Sequence, residues 1–309
     1  RILILLVISI SVSYSQKNFS LDDIKSYPFP NELTGSMNAS KIAWAFDEEG
    51  SRNIYVAEAP EFNPKRLTSY MDDTGQELSS VSLSSDGKWV VYIRGGDFGS
   101  NWDDELPVNP TFEISPPKVQ IWSFPFDGES PVLIDEGMNP VISPDSDKIV
   151  YVKNDQLWVS SIDGTKKPEK LFHSRGRNGS QVWSHDGKMV AFVSNRGDRS
   201  FIGLYSFESK NLRWLDPSFD RDFSPRWSND NSEIVFIRRP GGAGKPSDIL
   251  GARHVPWKIV KVNINSLDVK ELWEAPKTLR GSLPRTHGGT NLHWAHNRIV
   301  FLSYQDGPH

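Results

Sequence analysis

Six times along this chain a polar turn gives way to a short apolar burst: WVVYI from Trp89, KIVYV from Lys148, MVAFV from Met189, EIVFI from Glu233, RIVFL from Arg298 and a weaker KIAWAF from Lys41. The bursts are rich in β-branched and aromatic residues and show little polar alternation, which describes strands covered on both faces rather than strands with a wet side. Each strong burst follows a recurring text, V-S-L-S-S-D-G from Val81, V-I-S-P-D-S from Val141, V-W-S-H-D-G from Val182 and R-W-S-N-D-N from Arg226. That text reads as a first strand closed by a tight D-G type hairpin. A third strand follows as NIYVAEA, QIWSFPF, QLWVSSI, IGLYSFE or KIVKVNI, and a short fourth as KRLT, PVLID, EKLFH, LRWLD or KELWE.

The turn residues Asp86, Asp145, Asp186 and Asp230 lie 59, 41 and 44 residues apart, a period that suits one four-stranded β-sheet per unit. Such a sheet buries its faces only against neighbours, and stacking the units around an axis leaves short edges. The expected fold is therefore all-β, a propeller of four-stranded blades. Five complete units are expected at about 37–70, 79–135, 138–173, 179–216 and 223–275, with a sixth stopping after its second strand. The reading divides the chain into 1–15, 16–36 as a lead-in and 37–309 as the propeller, incomplete at its C-terminal end, with seven or eight blades in the full ring. Trp44, Trp89, Trp122, Trp158, Trp183, Trp227 and Trp294 all fall on strand positions and are expected to pack between blades.

Residues 1–15 change the picture of where the protein works. Arg1, an apolar run from Ile2 to about Val12, and small residues at Ser13 and Ser15 describe a secretory signal cut after Ser15. The mature protein is expected in a periplasm or outside the cell, with no membrane attachment after cleavage. Cysteine is absent, which removes disulfides and thiolate chemistry together. A net charge of -4 with scattered Lys and Arg offers no basic stripe, so nucleic acid is not an expected partner.

Chemistry is sought where the period is interrupted. Residues 95–118 and 239–256 both replace the link between the second and third strands of a unit. Because strands alternate in direction, these links and those between units emerge on one face, and the D-G hairpins on the other. Loops clustered on one face of a rigid scaffold form the expected working surface. Its candidate substrate-binding residues are Arg94, Asp97, Trp102, Asp104 and Glu105 around the first insert, Arg175 and Arg177 before the fourth unit, Arg221 before the fifth, and Arg253 in the second insert. Carboxylates suit an ammonium group, and guanidinium forks suit carboxylates or peptide carbonyls. Gly241-Gly242-Ala243-Gly244-Lys245 lacks the Ser or Thr of a phosphate loop because Pro246 stands there. His293 and His296 are expected on opposite faces of a strand, so no metal and no other cofactor is expected.

Three segments carry a resemblance. VVYIRGGDFGSNWDDELPVNP from Val90, FIRRPGGAGKP from Phe236 and TLRGSLPRTHGGTNLHW from Thr278 resemble linkers of the prolyl oligopeptidase family of serine peptidases, in particular exported members related to dipeptidyl peptidase IV and acylaminoacyl peptidase. The S-x-D-G repeat alone is shared with other propellers, including that of the Tol system. The family resemblance implies a propeller that caps an α/β-hydrolase domain, with peptide substrates cleaved between them.

The family's nucleophile sits in a G-x-S-x-G elbow, and no such text occurs in this chain. Asn178-Gly179-Ser180 and Arg280-Gly281-Ser282 are expected in links between units, with no helix after them. Catalytic residues are therefore expected in none of these 309 positions, and the hydrolase domain is expected beyond His309. The Glu pair that grips a free amino terminus in dipeptidyl peptidase IV has no counterpart at the matching position, since Glu48-Glu49 lies in the first hairpin. The chain is thus expected to bind and gate peptide substrates without catalysis, and association as a homodimer is left open. The other reading is a free-standing, Tol-type periplasmic binding propeller.

Overall fold

Adjacent residues of a strand point to opposite faces, and in this protein both faces of each burst are apolar because each meets a different neighbour. The computed structural model describes residues 20–96, 118–242, 257–284 and 291–305. The first blade comprises β1 (Phe29–Gly35), β2 (Lys41–Glu48), β3 (Ser51–Glu58) and β4 (Lys65–Arg66). The second comprises β5 (Leu78–Leu83), β6 (Trp89–Arg94), β7 (Gln120–Pro125) and β8 (Val132–Glu136), and the third β9 (Met138–Ile142), β10 (Lys148–Lys153), β11 (Gln156–Ser161) and β12 (Glu169–Lys170). The fourth runs through β13 (Arg177–Trp183), β14 (Met189–Asn195), β15 (Ser200–Ser206) and β16 (Leu212–Leu215), and the fifth through β17 (Arg221–Trp227), β18 (Glu233–Arg239), β19 (Lys258–Asn263) and β20 (Val269–Glu274). A two-stranded sheet, β21 (Leu292–Ala295) and β22 (Arg298–Phe301), follows. Ahead of these, α1 (Leu21–Lys25) is a single turn of helix capped by Ser20.

Within every four-stranded sheet the strands lie in chain order and pair antiparallel. The first strands of successive blades meet one another, β1 with β5, β5 with β9, β9 with β13, β13 with β17 and β17 with β21. This is the meander and radial stacking of a β-propeller. The first sheet starts at Phe29, inside the stretch read from sequence as a lead-in. Asn178–Ser180, expected in a link, lies within β13, and Arg177 and Arg221 are the first residues of their strands rather than residues ahead of them.

Five apolar layers hold the blades together. On β6, Val90 and Tyr92 join Ile54 and Val56 of the first blade, while Val91 and Ile93 join Ile149 and Tyr151 of the third. On β14, Val190 and Phe192 face Val150 and Leu157, and Ala191 between them faces Ile234 and Phe236 of the next blade. On β18, Val235 and Ile237 turn the other way, toward Leu292. All of these β6, β14 and β18 residues are buried, and the valines, isoleucines and Phe192 among them are each worth about 1.5–3 kcal/mol. Phe192 lies opposite Gly203, where a methyl group would come within 2.3 Å of its Cζ, so only glycine leaves room for the ring.

The recurring serine of the sequence text locks each hairpin. Ser84 Oγ donates to Asp86 Oδ1 at 2.7 Å and accepts from the amides of Lys88 and Trp89 at 3.1 and 3.0 Å. Ser184 and Ser228 repeat this, donating to Asp186 and Asp230 at 2.6 Å and accepting from Met189 and Glu233 at 2.9 Å. In the third blade Ser143 donates to Asp147 instead of Asp145, at 3.2 Å. All four hydroxyls belong to buried residues. Four positions before each serine, the first strand carries a left-handed residue, Ser80, Asn139, Ser180 and Ser224, with φ of 52°, 52°, 51° and 55°. Glu32 holds the same place before Ser36, with φ 57°. A register shift accompanies each one, so every inner strand is bulged at the same point.

The hairpins are also stitched to each other. Asn38 N donates to Ser85 O at 2.9 Å, Asp86 N to Ser146 Oγ at 3.4 Å, His185 N to Asn231 Oδ1 at 2.7 Å and Asn229 Nδ2 to His296 O at 3.0 Å. Two of the strand tryptophans also bridge blades, Trp183 Nε1 donating to Val141 O between the third and fourth and Trp227 Nε1 to Val182 O between the fourth and fifth, each at 3.1 Å.

Removing one hydroxyl should therefore be felt by the whole array. Ser184→Ala is expected to lower stability by about 1–3 kcal/mol, read by urea denaturation followed through tryptophan fluorescence. An unchanged midpoint would detach the serine from the fold.

The aspartates also predict acid sensitivity. Hydrogen bonds from Ser228 and from the amide and hydroxyl of Ser232 hold the Asp230 carboxyl down to about 2, against an ordinary 3.8. At Asp86 and Asp186 burial works the other way, but the serine hydroxyl and the Lys88 or Lys188 side of the turn outweigh it and the net direction is also down. A depressed carboxyl contributes stability above its unfolded value and loses it as pH falls through its folded one. The melting-temperature gap between wild type and Asp230→Ala is expected to be constant above about pH 4 and to shrink toward about pH 2. A gap that does not change over that window would refute the assignment.

Candidate functional site

The face opposite the hairpins gathers the links within and between blades, and in the third to fifth blades these links border two adjoining open cavities. One, of about 750 Å³, lies among the β10–β11 turn, the β12–β13 link and the β14–β15 turn, and the other, of about 410 Å³, lies along the inner strands β13 and β17. Asp155, Arg177 and Asn195 line both, so the two spaces meet there. Their combined lining holds five arginines, Arg175, Arg177, Arg196, Arg221 and Arg239, against a single carboxylate, Asp155. On a chain of net charge -4 this is a strong local reversal of sign.

Strand ends place these arginines. Arg177 and Arg221 open β13 and β17, Arg239 closes β18, and Arg196 sits at the start of the β14–β15 turn. Arg221 and Arg239 are directly paired residues across β17 and β18. Like charges in that arrangement oppose folding. Arg221 lodges its guanidinium on the Gly197 and Asp198 carbonyls, at 2.6 and 3.2 Å. Arg239 stacks its own over Phe223, 5.5 Å from the ring centre. Arg196 lies over Phe201 and Trp214, 4.9 and 5.0 Å from their centres, and its Nε is buried without a hydrogen-bond partner. Burial first, then the neighbouring Arg175 and Arg199, draw the Arg196 guanidinium below its ordinary range. Burial and then Arg221 do the same to Arg239.

One step further along β18 the pattern inverts. Arg238 is buried, and it forks onto Asp222 with contacts of 2.7 and 2.8 Å and reaches Asp216 Oδ2 at 2.7 Å and Asp216 O at 2.7 Å. Burial pushes the Asp222 carboxyl up to about 6 against the pull of Arg238, which leaves the pair ionised at neutral pH. For Arg238 itself burial is outweighed by the two carboxylates, and its direction is up.

Arg94 and Lys153 occupy the same place in the second and third blades and are likewise engaged. Arg94 lies over Tyr70, 4.2 Å from the ring centre, and Lys153 pairs with Asp135 at 2.6 Å. This position latches a second strand to the outgoing end of the preceding blade. Of the residues expected to bind substrate, the structure thus brings Arg175, Arg177 and Arg221 together and sets Arg94 apart in a contact of its own. Asp97, Trp102, Asp104, Glu105 and Arg253, with the leader 1–15, lie outside the described residues. Arg196 and Arg239 were missed from sequence.

No protein-family model and no curated protein matches the chain. Among solved structures it is similar to a puromycin-hydrolyzing peptidase of Mycobacterium tuberculosis, at TM-score 0.53 and 13% identity, over 89% of this chain and 41% of that one. It is similar to hydrazine synthase of Kuenenia stuttgartiensis at TM-score 0.52 and 12% identity, over 84% and 69% of the two chains. The putative TolB of Agrobacterium tumefaciens matches at TM-score 0.47 and 18% identity, over 80% and 82%. The order of the strands in each sheet and the stacking of successive first strands make the chain a β-propeller. No helix among the described residues is long and apolar enough to cross a membrane.

The two kinds of arginine should separate in a stability measurement. Asp222→Ala, which removes the two-pronged partner of the buried Arg238 and leaves it Asp216 alone, is expected to cost about 3 kcal/mol. Arg239→Gln, which relieves a like-charge pair, is expected to leave stability unchanged or raise it by up to about 1 kcal/mol. Equal losses in thermal or urea unfolding would contradict the division.

Proposed function

We propose that this chain is the substrate-screening propeller of an exported serine peptidase, binding peptides on its link-bearing face and presenting them to a hydrolase domain. The observation that carries the reading is the pair of open, arginine-lined cavities on that face. Guanidinium groups arrayed around a space of this size suit peptide carboxylates and carbonyls. The linker texts from Val90, Phe236 and Thr278 support it, as does likeness of fold to a protein described as a peptidase, of which this chain spans 41%. The leader text at residues 1–15 supports export.

A second reading, a free-standing binding propeller of the Tol type, is favoured by one feature: the cavities are walled wholly by residues of the third to fifth blades and need no second domain to form.

Two measurements test these readings. The chain alone, incubated with chromogenic peptides, is expected to give no turnover, and turnover would place a nucleophile within it. Reading the coding frame past residue 309 separates the alternatives. A G-x-S-x-G elbow followed by Asp and His establishes the peptidase, whereas a stop soon after ring closure establishes the scaffold.

A further inference from the structure

We infer that the adjoining cavities select the acidic end of a peptide, with the arginines receiving its carboxylates and Asp155 receiving a backbone or amino N–H between them. This rests on the reading of that face as a peptide-binding surface and names the class of peptide it takes. The first ground is the cross-strand pair Arg221 and Arg239. A fold that satisfies Arg238 with two carboxylates one residue away keeps this pair without any ion pair among the described residues. Like charges held in register are relieved when an anion enters between them.

The second ground is Arg196. Its guanidinium is held against two aromatic rings, 4.9 and 5.0 Å from their centres, with no ion pair among the described residues, so its charge is positioned for an anion at little further entropic cost.

The distribution of charge chooses among anions. The arginines are spread over two spaces that join at Arg177. That favours an extended ligand with separated carboxylates over a compact phosphate. Asp155, the lone carboxylate, stands at the junction. An acid there repels a uniform polyanion such as a polyuronate and accepts from a ligand that carries N–H groups between its carboxylates. A peptide with an acidic C-terminal segment meets both demands.

The test is fluorescence anisotropy with labelled decapeptides, one ending in a run of Glu and a free carboxylate, one with Gln for each Glu and an amidated end. The acidic peptide is expected to bind at least about tenfold more tightly, and Arg177→Ala and Arg177→Glu are expected to weaken it by about tenfold and more. Raising salt should weaken it too. Arg213→Ala, on the exposed outer strand of the fourth blade, should change nothing. Equal binding of the two peptides, unaltered by Arg177→Glu, overturns the acidic selectivity while leaving peptide binding in place. No binding of either peptide sinks the peptide-binding reading itself. Oligogalacturonate or tripolyphosphate competing more strongly than the acidic peptide would also overturn the assignment.

Discussion

A serine hydroxyl withdrawn from water at the foot of each of four hairpins is the interaction on which the rest of this architecture depends. It holds a turn carboxylate with its proton and receives main-chain amides with its lone pairs, so the first two strands of a blade are fixed relative to each other. Because the second strand is clamped there, its apolar residues face the same two neighbours in every unit, and five interblade layers form from one repeated text. Stability in such an array is carried by nearest-neighbour faces. The hydrogen bonds from one hairpin to the next and the two tryptophan bridges add direction to contacts that apolar packing alone would leave free to slide.

This concentration of constraint on one face explains what the other face is able to carry. The hairpin side is short, repeated and saturated with hydrogen bonds. The link side varies from blade to blade among the described residues. At the strand ends on that side the second, third and fifth blades each spend one cation as a latch, Arg94 on Tyr70, Lys153 on Asp135 and Arg238 on Asp222 and Asp216. Cations beyond the latch position have no such duty. Arg196 and Arg239 are of that kind, and with Arg177 and Arg221 they give the two cavities their charge.

The repeat was legible because period, apolar bursts and turn residues are local properties, and they located the strands of five blades to within a few residues. What escaped was set by pairing between strands. Phe29–Gly35 carries none of the repeat's apolar text, being largely exposed, yet it completes the first sheet because β2 offers it a free edge. The left-handed residues at Glu32, Ser80, Asn139, Ser180 and Ser224 share no side-chain type that would announce them. Their common mark is distance, four positions before the serine. Arg175, Arg177 and Arg221 could be suspected from their place before an inner strand. Arg239 could not be separated from Arg238 until register showed one facing Arg221 and the other facing Asp222. In the fifth blade the penultimate residue of the second strand, Arg238, belongs to the fold, and the charge that ends the strand, Arg239, has no ion pair among the described residues.

Electrostatics then connects the two faces. Uncompensated arginines in register destabilise the blade that bears them, and such a cost is tolerable only where the strands concerned are held by something else. β17 and β18 are held by Ser228 at the hairpin end, by Trp227 across to the fourth blade and by the Arg238 network one residue inside the charged end. The fifth blade thus has reinforcement on the near side of its charged end, and the repulsion between Arg221 and Arg239 stays local to the strand termini. Both functional readings draw on this division between a self-sufficient frame and a surface whose arginines outnumber its one carboxylate, Asp155. The readings differ in what stands above the surface, and the frame beneath it is the same for either.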